Sequence, residues 1–145
     1  MFASLLSRLT TPDPQPLDTE DARLALTALL VRIAKSDGVF EASEKARIEA
    51  IIAARYGLAG PDAASLLADA NAFEAEAPDT VRFTRAIKEA VDYDDRIAVI
   101  EALWQVALAD GERDAKEDAL IRMASSFLGV SDMDSAQARR RVTKT

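Results

Sequence analysis

The sequence predicts an all-α fold, and three observations carry that prediction. No segment sustains the apolar–polar alternation of a strand. All five prolines (12, 14, 16, 61, 78) and all five glycines (38, 57, 60, 111, 129) fall between segments in which apolar residues recur at helical spacing. Alanine is abundant and aromatics make up only 6% of the chain, a mixture that favours helices packed through aliphatic side chains. The expected architecture is a single domain of about seven or eight helices.

Each element follows from local chemistry. "FASLLSRL" places Phe2, Leu5, Leu6 and Leu9 on one face of a short first helix, and "TPDPQP" after it is a stiff extended connector. Residues 1–16 are therefore read as a helix and Pro-rich connector, and 17–145 as the helical domain. The next helix starts at Asp18 or Thr19, has Glu20 and Asp21 in its first turn, and runs to about Lys35 with Leu26, Leu29, Leu30 and Ile33 inward. A helix over about 42–56 buries Ile48, Ile51 and Ile52, and Gly57 suits its left-handed end. Pro61 suits the first turn of the following helix, which carries Leu66, Leu67 and Phe73. After Pro78-Asp79, a further helix presents Val81, Phe83, Ile87 and Val91. "DYDD" opens the most apolar helix, with Ile97, Ile100, Leu103, Trp104, Val106, Ala107 and Leu108, expected at the centre. A helix over about 115–128 ends at Gly129, and Ser131-x-x-Asp134 is a capping pattern for the last one.

Composition narrows the function. A length of 145 residues with 49% hydrophobic and 30% charged residues is a globular balance able to bury a core. A net charge of −7 repels phosphate backbones, so nucleic acid is not an expected partner. The absence of cysteine and histidine removes thiol chemistry, iron–sulfur clusters, nearly all zinc sites and the Ser–His pairing. Any metal site must use oxygen ligands, which points to calcium, magnesium or manganese. The longest apolar run, "LALTALLVRIA", contains Arg32 and is too short to span a bilayer. The start of the chain lacks the pattern of a signal peptide, and the expected location is cytoplasmic.

One pattern occurs twice. Aligning 30–53 with 103–126 gives identities at Leu30/Leu103, Ala34/Ala107, Asp37/Asp110, Gly38/Gly111, Ala42/Ala115, Glu44/Glu117, Ala46/Ala119 and Ile48/Ile121. Each copy reads as an apolar helix, an Asp-Gly turn and an amphipathic helix, two copies suited to pack as a pseudo-symmetric pair. Against the calcium loop of an EF-hand, Asp37, Glu41 and Glu44 fill the fifth, ninth and twelfth positions, and Asp110, Asp114 and Glu117 do the same. The first and third positions hold Ile33 and Lys35, then Val106 and Leu108. Apolar side chains offer no oxygen and a lysine repels a cation, so this is no standard EF-hand. Two readings stand. The glycines and the acids three residues apart describe helix ends and caps, with Glu44 and Glu117 at the third helical position. Asp37 and Asp110, however, lie at helix C-termini, where negative charge is disfavoured, and their recurrence keeps a cation site as the other reading.

The segments "RIAKSDGVFEASEKARIEAI" and "QVALADGERDAKEDALIRMA", with "FLGVS" after the second, resemble the TerB family of tellurite-resistance-associated domains. The resemblance covers about 24–142. It implies an all-helical, pseudo-symmetric fold, an acidic divalent-metal site at Asp37, Glu44, Asp110 and Glu117, and a role in stress response through protein complexes near the membrane. Val39-Phe40-Glu41 departs from the more polar, proline-containing helix start common in the family. A related domain occurs in a membrane-anchored DnaJ-type co-chaperone, but with no histidine this chain has no J-domain His-Pro-Asp.

Elsewhere the chemistry is sparse. "ARRRVTK" reads as a solvated helix end complementing its own dipole, with docking to anionic lipid or an acidic partner as the alternative. Trp104 is expected in the core, and neither Tyr56 nor Tyr93 shows a partner constellation. There is no phosphate loop and no dyad spacing, so no enzyme is expected; a carboxylate-metal hydrolase is the weakest alternative. The expected function is a non-enzymatic accessory protein with a protein partner, the paired acidic turns binding a divalent cation. The alternative is an interaction module without metal. Peripheral membrane contact through the first helix is the less favoured partner class.

Overall fold

A computed structural model describes residues 5–7, 17–35, 42–109 and 115–143, and at 43, 109 and 115–118 the backbone alone. The described residues form α1 (Thr19–Lys35), α2 (Ala42–Tyr56), α3 (Gly60–Glu76), α4 (Thr80–Ala90), α5 (Tyr93–Ala109), α6 (Ala115–Phe127) and α7 (Asp132–Thr143), with helical backbone also at 5–7 and no strand among them. The protein is all-α, as the sequence predicts. Leu5 is buried in the common core, while the expected connector over 8–16 lies outside the described residues.

The helix ends behave as their sequences dictate. Asp18 caps α1, its Oδ1 accepting from the Asp21 amide at 2.8 Å. Asp79 caps α4 and Ser131 caps α7, the latter accepting from the Asp134 amide at 3.1 Å. α2 closes at Gly57, φ 64°, with the Leu58 amide donating to the Ala53 carbonyl at 3.1 Å, and α6 closes at Gly129, φ 67°, with Val130 donating to Ser125 at 2.8 Å. Both are six-to-one turns that use the left-handed backbone glycine tolerates. α3 starts one residue before Pro61, with Ala59 at its cap position and no side-chain cap.

α1 packs along α3, α5 along α7 and α2, and α2 also on α3. α5 touches α2, α6 and α7, while α1 touches α2, α3, α4 and α6, so α5 shares the centre of the fold with α1. Contacts cross between the two halves, α2 on α5 and α1 on α6. Ile48, Ile51, Ile52, Phe73, Phe83, Ile87 and Ile100 are fully enclosed, each burial worth roughly 1.5–3 kcal/mol. The Phe73 and Phe83 rings meet at 6.1 Å and 59°.

Val81 breaks the expected face of α4: it is 72% exposed, while Phe83, Ile87 and Val91 are buried. The buried stripe is Phe83, Ala86, Ile87 and Ala90, spaced by three and four. Val81 stands two residues before Phe83, about 200° around the helix, and so faces outward. Leu66 is partly buried beside the fully enclosed neighbours of α3.

Candidate functional site

The acidic residues enter at two helix starts. Asp37, Glu41, Asp110 and Asp114 lie outside the described residues, and Glu117 is described by its backbone alone. Glu44 is the third residue of α2 and Glu117 the third of α6. Both sit where the helix dipole favours a carboxylate. The Glu44 side chain is half-buried.

The two starts converge. A narrow crevice is lined by Arg47 and Ile51 of α2, Leu103, Val106 and Ala107 of α5, and Leu120 and Ile121 of α6. Arg47 stands one turn beyond Glu44, and Leu120 one turn beyond Glu117. Helices from the two halves of the chain thus line the same crevice, each beginning about one turn before its lining residues. Among the described residues no three metal-ligating side chains gather to hold an ion. The donor set at the starts and turns is all carboxylate, the chemistry of calcium, magnesium and manganese.

The helix that feeds the first acidic turn is pinned. Glu74 of α3, 7% exposed, accepts from Arg32 Nε at 2.5 Å and from Lys35 Nζ at 2.7 Å. Arg32 also donates through Nη1 to the Pro78 carbonyl at 3.0 Å and to Thr80 Oγ1 at 3.2 Å, and through Nη2 to the Glu74 carbonyl at 3.3 Å. Its guanidinium carbon lies 5.4 Å from the Phe83 ring centre. Burial raises the Glu74 carboxyl, but the hydrogen bonds from Lys35 and Arg32 outweigh it and hold the group below the usual carboxylate range. Lys35, which sequence reasoning set against a cation, therefore has its charge met by Glu74.

The last helix docks through polar contacts. Trp104 is core, as expected, and its Nε1 donates to Ser135 Oγ at 3.2 Å while the Arg139 guanidinium stacks 5.2 Å from its ring. Arg141 pairs with Glu101 on α5. The basic run is thus partly committed within the fold, and α7 has acids in its first turn and arginines in its last. A cavity of about 270 Å³ opens beside Trp104, between Arg122, Ser125, Asp132 and Arg139. Arg96 bonds the Val91 carbonyl at 3.1 Å and the Leu128 carbonyl at 2.6 Å, joining the ends of α4 and α6.

The reading of the tyrosines is overturned. The Tyr93 hydroxyl bonds Asp134, which raises its pKa, and Arg96 stacks 5.1 Å from its ring. Tyr56 stands against two arginines, Arg23 and Arg55. Arg23 is 33 positions from Tyr56 and Asp134 is 41 from Tyr93. No local spacing announces such pairs; the one available signal was the placement of both rings at helix ends, where distant helices meet.

The profile of one family, described as tellurite resistance protein TerB, matches residues 23–140, most of the chain. No curated protein matches. No solved structure matches either.

Proposed function

The chain belongs to the TerB family, and on that premise we propose that it is a non-enzymatic cytoplasmic accessory protein of the tellurite and stress response. Its paired acidic helix starts bind a divalent cation, calcium, magnesium or manganese, and present the occupied face to a protein partner. The observation that carries this reading is the convergence of α2 and α6 on one crevice, with Glu44 and Glu117 each one turn upstream of it. Asp37, Glu41, Glu44, Asp110, Asp114 and Glu117 would supply the oxygens, and the ion would supply the charge neutralisation that carboxylates brought together require. The cross-contacts of α1 with α6 and α2 with α5 support a duplicated unit folded back on itself. No described helix is long and apolar enough to cross a membrane, which is compatible with this location.

Calorimetric titration of the intact chain with calcium, then magnesium and manganese, tests the proposal. Saturable heat lost in Asp37→Asn/Asp110→Asn is the expected result; absence of binding by all three ions overturns it.

A second reading is favoured by one observation. Glu44 and Glu117 occupy the third position of their helices, where a capping box takes its acid. In that reading the turns are connectors and the partner binds without metal. The same double variant would then keep its partner while the calorimeter registers nothing.

A further inference from the structure

Two arginines of α7 are committed in different ways. Arg141 pairs with Glu101 of α5. Arg139 lays its guanidinium on Trp104, 5.2 Å from the ring centre, and makes no hydrogen bond or ion pair among the described residues. Stacking uses the face of a guanidinium and leaves its edge, where the N–H donors lie, for an acceptor. Two other stacked arginines show what that edge takes in this chain. Arg32 stacks on Phe83 and bonds Glu74, and Arg55 stacks on Tyr56 and meets Asp95 at 3.5 Å. Arg139 repeats the stack with no carboxylate of the described chain against it.

A cavity adjoins that arginine. Arg139 and the Trp104 ring both line a space of about 270 Å³ between α6 and α7. Arg122 of α6 brings a second cation to its wall, Asp132 of α7 one anion, and Ile121 an apolar surface. Arg122, Asp132 and Arg139 are all exposed residues, so their charged ends reach solvent. Asp132 forms no ion pair with either arginine. In a chain of net charge −7, two arginines against one carboxylate reverse the sign locally.

We propose that this cavity binds a small acidic amino acid. Its two carboxylates match Arg139 and Arg122 and its ammonium matches Asp132, so ligand and wall cancel charge by charge. A simple dicarboxylate leaves Asp132 facing like charge, and a neutral ligand leaves both arginines unmatched. The volume lies between the roughly 150 Å³ that holds benzene and the roughly 300 Å³ where drug-sized pockets begin, a space for a small metabolite. The site goes beyond the proposed cation site and does not depend on it, although both are lined by Ile121.

L-Glutamate is the probe, and Trp104, the only tryptophan of the chain, is the reporter. Titration of the full chain at fixed ionic strength should change its fluorescence saturably. A chelator in the buffer removes divalent ions, so failure here is distinguishable from failure of the cation site. Arg122→Gln, at an exposed position, should keep the fold and weaken glutamate about fivefold or more. Arg139→Gln alters the reporter itself, so its equal or larger loss of affinity is read by calorimetry. Glutarate, which lacks the ammonium, should bind more weakly than glutamate. No saturable response up to tens of millimolar glutamate overturns the proposal. So does an equal response to sodium chloride, which would mean charge screening alone. Glutarate binding as tightly as glutamate, or unaltered affinity in both arginine variants, overturns it as well.

Discussion

Helix α1 carries two arginines with opposite fates. Arg32 is densely partnered: Glu74, two carbonyls, a threonine hydroxyl and a phenylalanine face meet its guanidinium. Arg23, on the same helix, retains a buried Nε–H with no acceptor. A part-buried cation with four hydrogen bonds to three segments ties those segments together. Arg23 instead stacks on the Tyr56 ring, an attraction that needs no hydrogen bond from its Nε. The first arrangement fixes the C-terminal end of α1 on α3; the second joins its N-terminal end to α2 through Tyr56.

The largest expected effect tests the densely partnered end. Glu74→Ala leaves Arg32 and Lys35 without their carboxylate, and should cost about 3 kcal/mol in chemical denaturation, the low end for breaking a buried pair because both cations reach solvent. The same pair sets an acid limit. Because the native Glu74 carboxyl is depressed, its contribution is complete above the ordinary carboxylate pKa and is lost as pH falls through the native value. Glu74→Gln should flatten that acid-side slope. Loss of well under 1 kcal/mol would erase the contrast between the two ends.

Tyr56 tests the unsatisfied end. Its phenol is raised from 10.0 to about 12, so the native state holds the proton longer than the unfolded chain. Stability should be complete below pH 10 and fall between pH 10 and about 12, by about 2–3 kcal/mol for a shift of this size. Tyr56→Phe should abolish that alkaline loss in urea denaturation series across the range. A wild-type slope retained in the variant would assign the alkaline loss to other groups.

Smaller effects mark the limits of the contrast. Ser131→Ala removes the α7 cap and should cost about 1 kcal/mol by thermal denaturation, since its hydroxyl oxygen is used by the Asp134 amide. Val81→Ser should change stability by no more than about 0.5 kcal/mol, because that side chain touches solvent. A larger loss there would place Val81 against something it is not seen to touch.

What the sequence made legible follows the range of the interactions. Helices and their ends were readable because Asp18, Gly57, Gly129 and Ser131 act within three to five residues of themselves. Val81 was misplaced because an apolar residue near a helix start fits more than one face until the rest of the stripe fixes the phase. Glu74, in "FEAEAPD", reads like the exposed Glu76 beside it. Only Arg32 and Lys35, about 40 positions away, make it a buried anion. The stacking of Arg23 and Arg55 on Tyr56 was hidden for the same reason. The acidic pattern was readable as a pattern, and the helix bounds place Glu44 and Glu117 where its spacing put them, while the turns over 36–41 and 110–114 lie outside the described residues.

The central claim is that the two acidic helix starts form one divalent-cation site, and amide NMR during a calcium titration tests it most directly. The account predicts saturable shifts in both copies at one midpoint, at Gly38 and Gly111 and carried to Arg47 and Leu120 at the shared crevice, all lost in Asp37→Asn/Asp110→Asn. Unchanged spectra up to millimolar calcium, the range of the weakest calcium modules, with magnesium and manganese equally silent, would contradict it and leave the paired turns as helix connectors.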